Sequence, residues 1–284
     1  MTALSANQLQ DFQRDGFLVL PQFFGDSELG AVRDRMAEMV DEFDPDTVST
    51  VFSTTEHLHA QDDYFLTSGD TVRFFFEEGA LDDAGNLVVD KQVAINKVGH
   101  AMHDLDPVFD SFSRDPRIGK LVRSLGLIDP LLLQSMYIFK QPRIGGEVTW
   151  HCDHTFLWTE PQSTVGLWVA LEDSTLDNGC LWAVPGGHVS QPPKGRFRRE
   201  GSGTTMDVFD ASPYDTASKV ALPVEAGALI VLHSSLPHWS APNTTDVSRH
   251  AYTLHVIDGA ADYASDNWLQ RPAASAAGPL RGFA

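Results

Sequence analysis

The stretch Gly145-Gly146-Glu147-Val148-Thr149-Trp150-His151-Cys152-Asp153-His154 decides how the rest of the chain reads. The glycine pair marks a turn, Glu147 to Thr149 has the composition of a short strand, and Trp150 to His154 reads as a loop leaving a strand edge. If the backbone stays extended through Asp153, side chains alternate, and His151 and Asp153 leave on the same face. Cys152 and His154 then point away. A converging imidazole and carboxylate lack only one histidine of the 2-His-1-carboxylate set that holds non-heme Fe(II) and keeps three coordination positions open. A surface loop with a chance His and Asp has the same local sequence, so residues elsewhere must decide.

Outward from this stretch, short apolar runs separated by turn signals dominate everything after Asp129-Pro130. They are Leu131 to Phe139, Glu147 to Trp150, Thr164 to Leu171, Cys180 to Val184, Lys219 to Val224, Ala228 to Leu232 and His250 to Ile257. That spacing predicts an all-β sandwich or barrel. Before it the pattern is mainly helical. Ser5 and Gln8 form a capping box for a helix that Asp15-Gly16 ends, and Phe17 to Leu20 reads as a strand stopped by Pro21. Asp26 or Ser27 caps a second helix, with Leu29, Val32, Met36, Met39, Val40 and Phe43 on one face. Asp44 to Asp70 reads as a long, partly mobile acidic loop. Phe74 to Phe76 and Leu87 to Val89 read as short strands, and Ala94 to Phe112 and Pro116 to Leu125 as helices. The expectation is one domain, helical over about 1–129 with a barrel over about 130–260: an all-β core with flanking helices.

Composition narrows the function. The chain has 284 residues, 42% hydrophobic and 21% charged, as in an ordinary globular protein. Lys and Arg number 20 against 39 Asp and Glu, and the formal charge of −19 opposes general affinity for nucleic acid or an anionic membrane. A small molecule is the expected partner. Two cysteines make no disulfide framework, so the expected compartment is reducing, and cytoplasmic. There is no apolar run of about 18 residues, no basic and apolar leader after Met1, and no peroxisomal or retention tripeptide at Arg281-Gly282-Phe283-Ala284.

A jelly roll brings an early and a late strand together at the barrel mouth, so the second histidine is sought late. His238, in Leu236-Pro237-His238-Trp239-Ser240, comes after the run Ala228 to Leu232. Arg249 stands eleven residues on, suited to grip the distal carboxylate of a dicarboxylic cosubstrate, with Ser240 able to donate to the same group. The other histidines, among them His57, His59, His100, His188, His250 and His255, read as structural or exposed.

Matching segments now run the length of the chain: Asp15-Gly16-Phe17-Leu18-Val19, Ile95-Asn96-Lys97-Val98-Gly99-His100, Gln134 to Pro142, Gly145 to Val148, Asn178 to Trp182, Pro185-Gly186-Gly187-His188 and His238 through His255. On these the chain resembles the phytanoyl-CoA dioxygenases, closest to the branch of phytanoyl-CoA dioxygenase domain-containing proteins. The resemblance implies a cupin-like double-stranded β-helix with Fe(II) on His151, Asp153 and His238. It implies 2-oxoglutarate held by Arg249 and Ser240, with Lys97, Met136 and Trp168 lining its pocket. It also implies O2 as oxidant, ascorbate as an optional reductant, and release of succinate and CO2. Gly187 stands where the family usually has serine, which blurs any role for the loop at His188. Asp153, where related halogenases have a small residue, implies hydroxylation, desaturation or ring formation. The rival readings are a catalytically silent binding protein on the same fold and a cupin-type isomerase; neither needs the Arg249 and Lys97 pair.

Two features stay open. Trp150, Phe156, Trp158 and Trp239, near the ligands in sequence, either line a site for an apolar or ring-bearing substrate or pack the barrel mouth. Lys194-Gly195-Arg196-Phe197-Arg198-Arg199 is either a lid that recruits an anionic group or a solvated loop whose cations pair with surface acids.

Overall fold

Strands from both halves of the chain meet in one antiparallel sheet, and the rest of the architecture is arranged on its two faces. The computed structural model describes residues 3–48, 50–51, 63–82, 84–272 and 274–283. The first half runs α1 (Ala6–Asp15), β1 (Phe17–Leu20), α2 (Asp26–Glu42), α3 (Asp63–Leu66), β2 (Val72–Phe76), α4 (Lys91–Ala94) and β3 (Ile95–His100). Three helices come next: α5 (Met102–Leu105), α6 (Pro107–Ser113) and α7 (Pro116–Ser124). The second half begins with β4 (Pro130–Ile138), β5 (Val148–His151), β6 (Thr159–Glu160), β7 (Val165–Ala170) and β8 (Leu181–Ala183). After α8 (Gly187–Ser190) come β9 (Gly195–Glu200), β10 (Gly203–Val208), β11 (Val220–Leu222) and β12 (Leu229–His233). The last strands are β13 (His238–Ser240), β14 (Ala251–Asp258) and β15 (Asp262–Tyr263).

The large sheet has the order β1-β12-β7-β14-β4-β3-β2, and a smaller one, β11-β8-β13-β5, faces it. Every pairing in both is antiparallel. The result is the double-stranded β-helix expected from the resemblance. Alternation sorts the central strands cleanly. Tyr252, Leu254 and Val256 of β14, with Leu167 and Val169 of β7, pack outward against α2, α6 and α7 through Leu29, Val32, Met36, Phe109 and Ile118. The intervening Ala251, Thr253 and His255 face the space between the sheets, whose floor is a second cluster of Trp168, Leu181, Ile230 and Leu232. A third cluster, with Phe65, Phe75, Phe197 and Trp268, closes the opposite end.

Several expectations need correction. Ala94 to Phe112 is not one helix: Ile95–His100 is β3, paired with β2 on one side and β4 on the other, and only then does the chain turn into α5 and α6. Ile95 and Val98 satisfy a strand pattern as well as a helical one, and the open sheet edge selects the strand. The part before residue 129 thus contributes β1, β2 and β3 to the main sheet. Leu87 makes a single bridge to Leu81, not a strand. The cap of α2 is Gly25, whose N–H donates to Glu28 at 2.8 Å. Within the predicted loop from Asp44, residues 63–66 are helical, while 52–62, with His57 and His59, fall outside the described residues. Ser5 and Gln8 cap α1 as expected, and Gly16 ends it at φ 82. A methyl group at Gly16 would stand 2.5 Å from His188 Nδ1, so the turn needs glycine twice over, for conformation and for space. Both cysteines are buried and unpaired, and among the described residues no helix is long and apolar enough to cross a membrane.

The carboxyl-terminal segment returns over the barrel and is held electrostatically. Asp104, whose side chain is fully buried, accepts from Arg114 at 2.6 Å, from Arg281 at 2.9 Å and from Arg271. Its carboxyl lies below the ordinary range, because the charges and hydrogen bonds around it outweigh the burial that would raise it. Removing one partner of such a cluster leaves buried cations uncompensated. Asp104→Ala is expected to lower unfolding free energy by about 3–5 kcal/mol, read from the midpoint of urea denaturation.

Candidate active site

The pairing of β5 with β13 sets His151 directly opposite His238, with ring centroids 4.2 Å apart. Cys152 is still extended at φ −126 and ψ 145, so Asp153 falls on the same face as His151 before the chain tightens into a 3-10 turn over Asp153–Thr155. Asp153 Oδ1 then stands 3.9 Å from His151 Nε2 and 3.7 Å from His238 Nε2. Ligand atoms of the three lie within 4.8 Å of one another, which suits a single metal ion.

The histidine tautomers follow from their neighbours. His151 Nδ1 donates to the Thr149 carbonyl at 2.7 Å, and His238 Nδ1 to the Leu236 carbonyl at 2.9 Å. A carbonyl only accepts, so the proton sits on Nδ1 and each Nε2 keeps its lone pair for the shared centre. Burial, with His238 beside it, pushes the His151 pKa down to about 4, so the ring is neutral at neutral pH. Burial alone would raise the Asp153 carboxyl, but the imidazoles of His255 and His238 outweigh it and hold the group below the usual carboxylate range. Asp153 is therefore held as an anion at the point where the three rings meet.

His255, read as structural or exposed, belongs to this site. It is buried on β14 with Nε2 3.4 Å from Asp153 Oδ2. Its partner across the ladder is Gly166, where a methyl group would stand 2.8 Å from the same Oδ2. Gly166 opens the notch and His255 holds the oxygen that sits in it, leaving Oδ1 for the two histidines. The signal was in the alternation Ala251, Thr253, His255, which keeps the third residue on the interior face.

Beyond the triad lies a cavity of about 220 Å³ whose lining includes Lys97, Met136, Trp168, Ser240 and Arg249. All the expected site residues therefore meet in one space. Arg249 is 1% exposed and packs its guanidinium 5.2 Å over the Trp168 ring. Its Nε and Nη1 have no hydrogen-bond partner among the described residues. Desolvation lowers its pKa to about 10, which still leaves it a cation. Ser240 Oγ accepts from Lys140 Nζ at 2.9 Å, and the same nitrogen donates to the Gly146 carbonyl. Lys140 is a neighbour the sequence reading missed. Lys97, not a surface lysine on a helix, is buried on β3 with its nitrogen 5.8 and 5.3 Å from the Phe65 and Phe75 ring centroids. Burial drives its pKa well down.

Of the four nearby aromatics, Phe156 and Trp239 line the cavity. Trp150 instead stacks on Trp239 at 5.9 Å, and Trp158 packs tilted against His154 at 4.1 Å. The basic cluster forms the hairpin of β9 and β10, and its charges are met internally: Lys194 by Asp210, Arg196 by Asp266, and Arg198 by Asp207 and Glu200. Arg199 is bound to backbone carbonyls. That matches the reading of cations paired with acids, with no cation left over for an external anion.

The match to known proteins is extensive. The family model for phytanoyl-CoA dioxygenase (PhyH) fits residues 12–251. A phytanoyl-CoA dioxygenase of Arabidopsis thaliana is 46% identical over 270 residues, covering 95% of this chain and 94% of that one. Phytanoyl-CoA dioxygenase domain-containing protein 1 of Rattus norvegicus is 47% identical over 279 residues, covering 95% and 96%. Among solved structures, EctD from S. alaskensis with 2-oxoglutarate and 5-hydroxyectoine superposes with TM-score 0.65 at 20% identity, covering 99% of this chain and 85% of that one. The epimerase SnoN in complex with Fe3+, alpha ketoglutarate and nogalamycin RO gives 0.66 at 17% identity, covering 98% and 93%.

Groups that orient a metal-binding carboxylate typically matter ten- to a hundredfold in affinity. His255→Leu is accordingly expected to weaken Fe(II) binding by about 10–100-fold in anaerobic titration, while His255→Gln, which can still donate, recovers most of it.

Proposed function

The chain belongs to the phytanoyl-CoA dioxygenase family, and on that premise we propose that it is a non-heme iron oxygenase dependent on 2-oxoglutarate. In this reading His151, Asp153 and His238 hold Fe(II), and Arg249 holds the distal carboxylate of 2-oxoglutarate. The observation that carries it is the buried Arg249 guanidinium, with two unpartnered nitrogens, in the same cavity as three ligand atoms within 4.8 Å of one another. A buried cation with unused donors is costly unless an anion completes it, and a carboxylate fits a guanidinium edge in two hydrogen bonds.

The protein's own groups divide the work. Trp168 packs against the guanidinium, and Lys140 keeps the Ser240 hydroxyl engaged so that its remaining lone pair and proton are oriented. Lys97 supplies a second amine near the cavity, which takes a proton readily once an anion is beside it. The neutral His151 ring and the ionised Asp153 are in the protonation states a metal requires, so loading needs no proton release from them. When bound, Fe(II), 2-oxoglutarate and O2 together supply oxidation of a substrate C–H bond, one oxygen atom entering the substrate and the other entering succinate as CO2 leaves.

Succinate release from 2-oxoglutarate on addition of Fe(II) tests turnover directly and separates an enzyme from a silent binder. His151→Ala, Asp153→Ala and His238→Ala are each expected to abolish it with the fold intact by circular dichroism. Arg249→Gln is expected to raise the 2-oxoglutarate requirement about 10–100-fold, the loss of a charge-assisted pair worth roughly 1.5–3 kcal/mol. Wild-type consumption in any of the triad variants overturns the metal assignment.

A further inference from the structure

The end of the cavity away from Arg249 is built differently from the end that holds it. Phe65 of α3, Phe156, Phe197 of β9 and Trp268 all reach it, and they come from four segments far apart in sequence, with only Phe197 on a strand. Phe65 stacks on Trp268 at 4.3 Å and 13°, Phe197 lies 5.6 Å from Phe156, and Phe156 stands edge-on to the ligand His151 at 5.9 Å. The aromatic wall thus begins at the metal set and runs away from it.

One residue ties these segments together. Arg199 N donates to the Asp266 carbonyl at 2.7 Å, Nε to the Trp268 carbonyl at 2.8 Å, and Nη2 to the Leu66 carbonyl. A single side chain on the hairpin therefore grips both segments that carry Phe65 and Trp268, while its own strand carries Phe197. Arg196 adds an ion pair to Asp266.

The chemistry of this end is narrow. The ionisable side chains of the lining are Asp153, Lys97, Lys140 and Arg249, besides the three histidines grouped at Asp153. Asp153 belongs to the metal set, Lys140 is engaged with Ser240 and Gly146, Arg249 is placed above with the cosubstrate, and Lys97, whose nitrogen stands 5.8 Å from the Phe65 ring at the border of this wall, is the second amine given to the same cosubstrate. Among the described residues none remains to pair a charged substrate. The whole cavity, about 220 Å³, is below the roughly 300–1,000 Å³ of typical ligand pockets and has to take cosubstrate and substrate together.

We propose that this wall is the substrate chamber, that it takes a compact, uncharged, ring-bearing molecule, and that Arg199 is the positioning residue that keeps it assembled. The proposal rests on the oxygenase reading for the placement of 2-oxoglutarate.

The full chain, loaded anaerobically with Fe(II) and 2-oxoglutarate, is titrated with 2-phenylethanol, phenylacetate and 2-phenylethylammonium, following tryptophan fluorescence. The neutral alcohol is expected to bind at least about tenfold tighter than either ion, because each ion would enter the chamber unpaired. Arg199→Gln is expected to weaken the alcohol about tenfold, as ring contacts loosen, while Fe(II) and 2-oxoglutarate affinities, measured without the probe, stay at the parent values. Phe197→Leu, which keeps every tie of the hairpin, is expected to weaken the alcohol as well and serves where Arg199→Gln fails to fold. Phenylacetate binding as tightly as the alcohol, no measurable binding of the alcohol, displacement of 2-oxoglutarate by the alcohol, or parent-like binding in Arg199→Gln or, should that variant not fold, in Phe197→Leu overturns the chamber. Failure of the parent to bind 2-oxoglutarate in an Fe(II)-dependent way, seen before any probe is added, overturns the oxygenase reading instead.

Discussion

Asp153 has to remain an anion with its side chain only 9% exposed, and much of the architecture is arranged so that it can. An isolated carboxylate in such a place would protonate rather than pay for desolvation. Here two oxygens are dealt with separately: Oδ2 rests in the notch above Gly166 against His255, and Oδ1 faces the paired rings of His151 and His238. Each ring is in turn locked by a backbone carbonyl two residues away. The strands that deliver these groups come from both sheets, so the carboxylate is stable only where the two sheets meet in register. Site and fold are one problem: a slip of one residue in β14 would turn His255 outward and put Leu254 against the carboxylate.

The same face-to-face arrangement explains why the cavity has two chemistries. Interior positions on β3, β4, β7 and β14 carry Lys97, Met136, Trp168 and Thr253, a mixed polar and apolar set on rigid central strands. The aromatic end is made by a short helix, a hairpin strand and turns outside the large sheet. A site whose chemistry must stay constant sits on paired strands, whereas a surface that selects a substrate can sit on segments the barrel does not need. Arg199 gives those segments rigidity that the sheet would otherwise have supplied.

The triad was readable because its geometry is local on one side: alternation over four residues puts His151 with Asp153, and a late strand is the natural place for His238. The strand-rich second half was legible for a related reason, since its apolar runs are short and bounded by turns. Legibility failed wherever pairing, not local pattern, chose the structure. Ile95 to His100 fits helix and strand alike, and only the free edge of β4 decides; with it moved Lys97, from a surface helix to the interior. His255 was hidden by distance, 102 residues from the carboxylate it touches, and Gly166 by having no side chain to notice. The hairpin at 195–208 was missed because charged residues alternate with few apolar ones, and its strands are stabilised by cross-strand ion pairs such as Arg198 with Asp207 rather than by burial.

A chain of formal charge −19 that takes up a dianion also has to overcome its own field. The surface potential repels 2-oxoglutarate at long range, though salt at physiological strength confines that repulsion to about 8 Å. Nor do the cations of the basic hairpin help, since they are matched to acids or carbonyls. On the proposed reading attraction comes from inside the cavity, where a low dielectric strengthens each contact and where burial disfavours Arg249 and Lys97 as cations until an anion arrives. Desolvation that costs stability in the empty protein is recovered on binding, so the charge pattern selects for ligands that carry a carboxylate deep into the barrel over those that merely meet it at the surface.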